Sequence, residues 1–297
     1  MAFAIDVLIQ GLLYGILTMG VMLSYKILDI PDLSVDGTFP LGAVVSAVLI
    51  IQGVNPWVAL IASLLAGVLA GMMTGIFHVK FKITALLSGI LVMTGLYSIN
   101  LLIGGKGNIA LFKYANLFDT NWLEAMNAPS FIVNNYQLIV MVLLVVGVKI
   151  FIDFILRTRL GYLLKVTGDN ENLVASLGHD VGKVKIFGLA LSNGIVALSG
   201  GVAVSVGKSF DISMGTGMVV LGLASVILGT LLLRKKKCSM TFMVIVGSIL
   251  YRFIIAIAIR MNMDPKMMKL ATVIIFVGAI VLNNLSTKLP RRKMKEQ

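Results

Sequence analysis

Arg157 to Lys185 read RTRLGYLLKVTGDNENLVASLGHDVGKVK, the longest polar island in a chain that is otherwise one apolar segment after another. Within it, Thr167-Gly168-Asp169-Asn170 reads as a turn feeding a helix N-cap. Glu171 falls in the first turn, where the helix dipole favours an anion, and Gly178 stands where a helix stops. The stretch between holds a helix of about two turns. Leu173, Val174 and Leu177 share one side by the i, i+3, i+4 rule, and Arg157, Arg159, Lys165, Lys183 and Lys185 flank it. This is the pattern of a short helix offered to a partner at a membrane surface.

The surroundings of the island settle the class. With 297 residues, 58% of them hydrophobic and 13% charged, the chain is too apolar for a soluble domain and reads as an integral membrane protein. The net charge of +12 does not point to nucleic acid, because the basic residues cluster between apolar segments and are not interleaved with stacking aromatics. They are topology signals. The single cysteine, Cys238, excludes an internal disulfide and a cysteine-based metal site. The opening MAFAID carries no Lys or Arg and leads into an apolar run too long for a signal-peptide core, so no cleavage is expected.

Nine apolar segments of about the length needed to cross a bilayer can be placed, within an expected range of about 8 to 10. They cover residues 5–25, 38–51, 57–77, 83–103, 136–156, 186–206, 215–233, 239–259 and 270–285. The fold class expected is an all-α polytopic membrane protein, one transmembrane domain over 1–297 with the loop 157–185 inside it. The second segment is short, and Asp29, Pro31, Asp32, Asp36 and Pro40 precede or interrupt it, so a broken or re-entrant helix is the alternative to a full crossing. Cytoplasmic loops carry the Lys/Arg excess. Placing the island, Lys80 and Lys82, Arg234 to Lys237 and the tail from Lys288 on that side puts the N-terminus outside and the C-terminus inside. An inverted repeat is suggested by Asp36-x-Thr38 with Gly42 and Asp211-x-Ser213 with Gly217, each at the mouth of the next helix.

Chemistry-bearing motifs are sparse. Gly104-Gly105-Lys106-Gly107 lacks the spacing and the Ser/Thr of a phosphate-binding loop, so the chain cannot hydrolyse ATP alone. His78 and His179 are far apart and read as interfacial residues, not metal ligands; no cofactor, metal or catalytic residue is expected. Intramembrane charge is the remaining clue, since it is costly unless paired or hydrated. Three residues are therefore candidates for a translocation pathway: Asp36; Asp211; and Arg252, which either snorkels outward or pairs with Asp211. Lys149 and Asp153 read as a local i, i+4 ion pair. The spacing of Gly67, Gly71 and Gly75 marks a face of close helix packing.

Several of these stretches together resemble a known family. Asp32-Leu33-Ser34-Val35-Asp36-Gly37 with Leu41-Gly42-Ala43, the run from Gly168 to Gly178, Leu191-Ser192-Asn193-Gly194, and Ala197-Leu198-Ser199-Gly200-Gly201 are similar to the permease subunits of bacterial ABC importers of the branched-chain amino acid and ribose type. The nearest branch is the one paired with substrate-binding lipoproteins for aromatic amino acids. The resemblance implies a type II importer-like fold and a homodimer around a central pathway in the plasma membrane. It also implies two cytoplasmic ATPase subunits as partners and an extracytoplasmic binding lipoprotein that delivers a small solute of the amino-acid class. It further implies that the island is a coupling helix, with Asn170, Glu171, Asn172, Leu173, Ala175, Leu177 and Gly178 in contact with the ATPase. One departure is Asp36, where the ribose-type permeases carry Gly. The rival readings are an ion-coupled secondary transporter using Asp36 or Asp211, or a permease for a sugar, nucleoside or vitamin.

Overall fold

The computed structural model describes residues 2–114, 116–120, 129–233 and 238–260, together with 267, 270, 272–274, 276–278 and 281. Its main helices are α1 (Ala2–Met22), α2 (Val35–Ile51), α3 (Pro56–Val79), α4 (Ala85–Gly104), α5 (Ser130–Arg157), α6 (Arg159–Asp169), α7 (Glu171–Ser176), α8 (Val181–Gly207), α9 (Met218–Leu233) and α10 (Met240–Arg260). Among the described residues, seven helical stretches are long and apolar enough to cross a membrane, and α2 is a shorter apolar helix. The expected ninth segment lies largely outside the described residues, as do the basic runs 234–237 and 288–295.

Close backbone approach organises the bundle. Gly67, Gly71 and Gly75 lay α3 against α8, where any Cβ would run into the backbone or side chains of Asn193, Leu189 and Ile186. Gly11 and Gly15 lay α1 against Ile249 and Ser248 of α10 in the same antiparallel manner. The helices α2 and α8 touch reciprocally, Gly42 on the Ala197 carbonyl and Gly200 on the Phe39 carbonyl. Serine hydroxyls add cross-helix bonds: Ser192 Oγ donates to the Gly20 carbonyl at 2.8 Å, Ser199 Oγ to Leu13 at 3.0 Å and Ser248 Oγ to Gly11 at 2.9 Å. The most extensive packing joins α3 to α8, and α10 packs on α1.

Two helices begin inside the bundle. A single π-helical turn, Leu23–Ile27, ends α1. The chain then leaves helical geometry, with Asp29 at φ 54°, and turns back inward so that α2 starts beside the middle of α4, Gly37 against Met93. The second segment is thus a broken crossing, the alternative allowed by its acids and prolines. Pro40 sits near the start of α2 and cannot donate to the Asp36 carbonyl, against which Gly215 packs. After α8 the chain makes β2 (Ser209–Asp211), which pairs antiparallel with β1 (Asn108–Ala110), and a 3₁₀ turn, Ile212–Gly215, that leads inward to α9. The pairing places the loop after α4 and the loop after α8 at one end of the bundle, opposite the island, as the charge bias requires. The same turn occurs at Asp32–Ser34 and at Asp211–Ser213, since in each the carboxylate accepts from the N–H and hydroxyl of the serine two residues on. Asp36 has no such bond to Thr38, whose hydroxyl donates to the Ser34 carbonyl.

Gly42→Ala or Gly200→Ala should destabilise the solubilised protein by about 2–3 kcal/mol or more, because rigid backbone blocks the added methyl. Gly95→Ala on α4, with open space at its Cβ, should instead stabilise by up to about 1 kcal/mol. Denaturation midpoints in detergent distinguish the two outcomes.

Candidate functional site

At the island end, a correction comes first. Thr167, Gly168 and Asp169 do not form a turn; they are the last residues of α6, and Asn170 alone (φ −160°, ψ 97°) breaks the helix. One extended residue suffices because it ends α6 and caps α7 at once, its side-chain oxygen accepting from the Leu173 N–H at 3.3 Å. Gly178 stops α7 as expected, at φ 78°. The apolar trio is also split. Val174 is fully buried, whereas Leu173 is 48% and Leu177 63% exposed. All seven residues expected to contact a partner, Asn170, Glu171, Asn172, Leu173, Ala175, Leu177 and Gly178, are exposed, and the buried Val174 roots the helix between them.

The island is tied to the bundle. Glu171 pairs with Lys185 of α8 at 2.6 Å, and the Lys185 side chain is nearly buried. Asp180 caps α8 by accepting from the Lys183 N–H at 3.1 Å, which holds its carboxyl below the usual carboxylate range. Gly168 of α6 lies against the Ile27 carbonyl, and Leu164 is buried beside Gly188 and Leu28. The island therefore rests on the segment 27–34 that leads back into the membrane.

That segment ends in a buried polar hub. The Asp32 carboxylate accepts from the Ser34 N–H at 2.8 Å, the Ser34 hydroxyl at 2.6 Å and Asn193 Nδ2 of α8 at 2.7 Å. Sequence reasoning missed Ser34 and Asn193 as site residues and treated Asp32 only as part of an acidic stretch. The available signal was an amide amid the apolar run of α8. One turn beyond the hub, Asp36 receives the Gly217 N–H at 3.0 Å and the Val219 N–H at 2.8 Å, capping α9 from α2.

The three expected pathway residues do not converge. Asp36 lines a cavity of about 480 Å³ beside α4, with Thr94, Tyr97, Ser98, Asn100 and Ser213. Asp211 sits in the loop at the far end, bound to Ser213 and to Asn108 Nδ2 at 3.4 Å. Arg252 neither snorkels free nor pairs with Asp211; its guanidinium lies over the Tyr14 ring, 4.6 Å from the centroid. The expected Lys149–Asp153 pair is present at 2.6 Å, and Asp153 also accepts from Thr241 of α10. Among the described residues no cluster of three or more His, Cys, Asp or Glu could hold a metal ion.

The model of the family described as branched-chain amino acid transport system / permease component matches residues 3–286. A tyrosine transport system permease protein of Clostridioides difficile (strain R20291) is 41% identical over 296 residues, 99% of this chain and 96% of that protein. An uncharacterized protein of Rickettsia prowazekii (strain Madrid E) is 30% identical over 284 residues, 94% of this chain and 97% of that one. No solved structure matches.

Asn193→Ala leaves a buried carboxylate oxygen without its donor and should cost about 3 kcal/mol in stability. A double-mutant cycle with Asp32→Ala should return a coupling energy above about 1 kcal/mol. Asp36→Ala removes both caps of α9 and should cost about 1–2 kcal/mol, with Asp36→Asn milder; thermal unfolding of the detergent-solubilised variants reads all of these.

Proposed function

The chain belongs to the family of branched-chain amino acid transport system permease components, and from that premise we propose that it is the membrane-spanning subunit of an ATP-driven importer in the bacterial plasma membrane. It is a multi-pass membrane permease of an amino acid transport system. Its partners in this reading are two cytoplasmic ATPase subunits, an extracytoplasmic binding lipoprotein and a second copy of itself. Its substrate is an amino acid of the aromatic class, the class to which the tyrosine permease relative points. The permease does no covalent chemistry; ATP is hydrolysed by the partner.

The observation that carries the proposal is the exposed, doubly capped α7, with Leu173 and Leu177 outward and Val174 inward. Two leucines left in water at i, i+4 on a helix with a buried root suit an apolar groove on another protein. Closure of the ATPases would shift the island as a body. The Glu171–Lys185 pair, the Gly168–Ile27 contact and the connector to Asp32 provide rigid links from α7 to the start of α2 and, through Asp36, to α9. Helices that start inside the bundle can tilt there without breaking a full-length ladder, and alternating access needs such motion.

The cavity beside α4 supports the homodimer. Thr94, Tyr97, Ser98 and Asn100 present hydroxyls and an amide at bilayer depth, where acyl chains offer no hydrogen bonds. A second copy facing this groove would close it into an aqueous pathway. The island end is then cytoplasmic and the start of α1, at the opposite end, lies outside. The packing of α3 on α8 and of α10 on α1, and the Asp-x-Ser turn that occurs twice, support inverted repeats. The ion-coupled alternative loses ground, because Asp36 and Asp211 both spend their carboxylates on backbone and side-chain donors.

Leu173→Glu with Leu177→Glu should leave a folded permease whose affinity for the importer's ATPase falls at least about 100-fold, read by pull-down from detergent. Undiminished capture would overturn the coupling role of α7. Lys185→Ala should keep ATPase binding yet lower ATP-driven uptake in proteoliposomes, because the tether from α7 to α8 is cut.

A further inference from the structure

A second cavity, of about 470 Å³, lies on the other side of the Thr216–Met218 segment from the groove beside α4; Thr216 lines both. Arg252 stands in its wall with Tyr14, Tyr251, Val220, Leu221 and Ile255. The arginine lies about 18 Å along α10 from Met240 and about 12 Å from Arg260, at 1.5 Å per residue, well inside the span. A guanidinium does not lose its charge at such a depth. Yet the ion pairs among the described residues are Lys149–Asp153, Lys183–Asp180 and Lys185–Glu171, and Arg252 belongs to none. Its Nε is buried and makes no hydrogen bond.

Among the described residues the neighbours hold the charge in place, and none forms an ion pair with it. The Tyr14 face supports the guanidinium from α1. The Tyr251 hydroxyl shares a hydrogen bond with Thr272 Oγ1 at 2.7 Å. Asp36 turns its carboxylate to the N–H groups of Gly217 and Val219 and forms no ion pair with Arg252. What remains is a planar cationic fork beside a mostly apolar chamber large enough for a small solute.

We propose that this chamber is a carboxylate-binding site, in which Arg252 takes the carboxylate of an α-amino acid in transit and Val220, Leu221 and Ile255 take its apolar or aromatic body. The inference rests on the permease reading and adds to it the residue that recognises the solute's anionic end. Thr216 and Gly217, between the two chambers, would then be the partition the solute passes on its way to or from the groove beside α4. An anionic phospholipid shares the chemistry of an anionic head on an apolar body, so the test separates the two sources.

The full-length protein in phosphatidylcholine nanodiscs is titrated with isotope-labelled L-phenylalanine, 3-phenylpropionate and phenethylamine. The two carboxylates should bind at least about tenfold more tightly than the amine, and Arg252→Gln should weaken both by at least about tenfold while Arg252→Lys restores part of the affinity. Val220→Phe, which fills the chamber and leaves the charge, should weaken the carboxylates as well. Variants are compared only where size-exclusion profiles match the parent. Unchanged carboxylate binding by Arg252→Gln overturns the proposal, and so does phenethylamine binding as well as the carboxylates. Loss of carboxylate binding when phosphatidylglycerol enters the discs, relieved by Arg252→Gln, assigns the site to lipid and overturns it too. ATPase capture is measured on the same samples. Capture without carboxylate binding sinks this inference and leaves the permease reading standing; binding without capture does the reverse.

Discussion

The Asp32 carboxylate, bonded to Ser34 and Asn193 inside the bundle, lets the chain do what a membrane otherwise forbids: stop and restart a helix at depth. Hydrocarbon offers no partner for a free N–H or carbonyl, so non-helical backbone survives there only where protein satisfies it. The segment 28–34 meets that demand through Asp32 and through the Ile30 N–H to Ser24 carbonyl bond at 2.9 Å. The second interruption, before α9, meets it through Asp36 and Asp211. Both interruptions use the same device, an aspartate that accepts from the N–H and hydroxyl of the serine two residues on.

Around these breaks the bundle gains cohesion from contact, since apolar side chains have little to gain by leaving lipid for protein. Glycine and serine therefore stand where helices meet, on α1, α3 and α8 above all, and long side chains such as Leu65, Leu69 and Leu143 point outward. The packing of α3 on α8 and of α10 on α1 ties helices distant in sequence into one bundle. The island at one end is joined to the interrupted helices by packed backbone, Gly168 on the Ile27 carbonyl and Asp32 on Asn193.

Much of this was legible in the residues, and what was not has a common cause. The caps at Asn170 and Gly178, the Lys149–Asp153 pair and the glycine face of α3 all depend on residues within a few positions of one another, so spacing alone exposes them. The end of α6 was misread because Gly168 looks like a turn residue; it is a packing residue, helical and pressed on the Ile27 carbonyl. Val174 was grouped with Leu173 and Leu177 because helical spacing places residues on a face without saying which face the bundle covers.

The amino-acid sequence by itself determined that the protein is a multi-pass helical membrane protein and that a short capped helix lies between the fifth and sixth apolar segments. Those properties follow from local hydropathy and from caps that act over one turn. Only the tertiary structure decided what the polar residues inside the membrane do. Asp32 meets Asn193 across 161 positions and Asp36 caps a helix 181 and 183 positions away. Whether a buried acid is a lock, a cap or a lining group depends on which donors the fold brings to it.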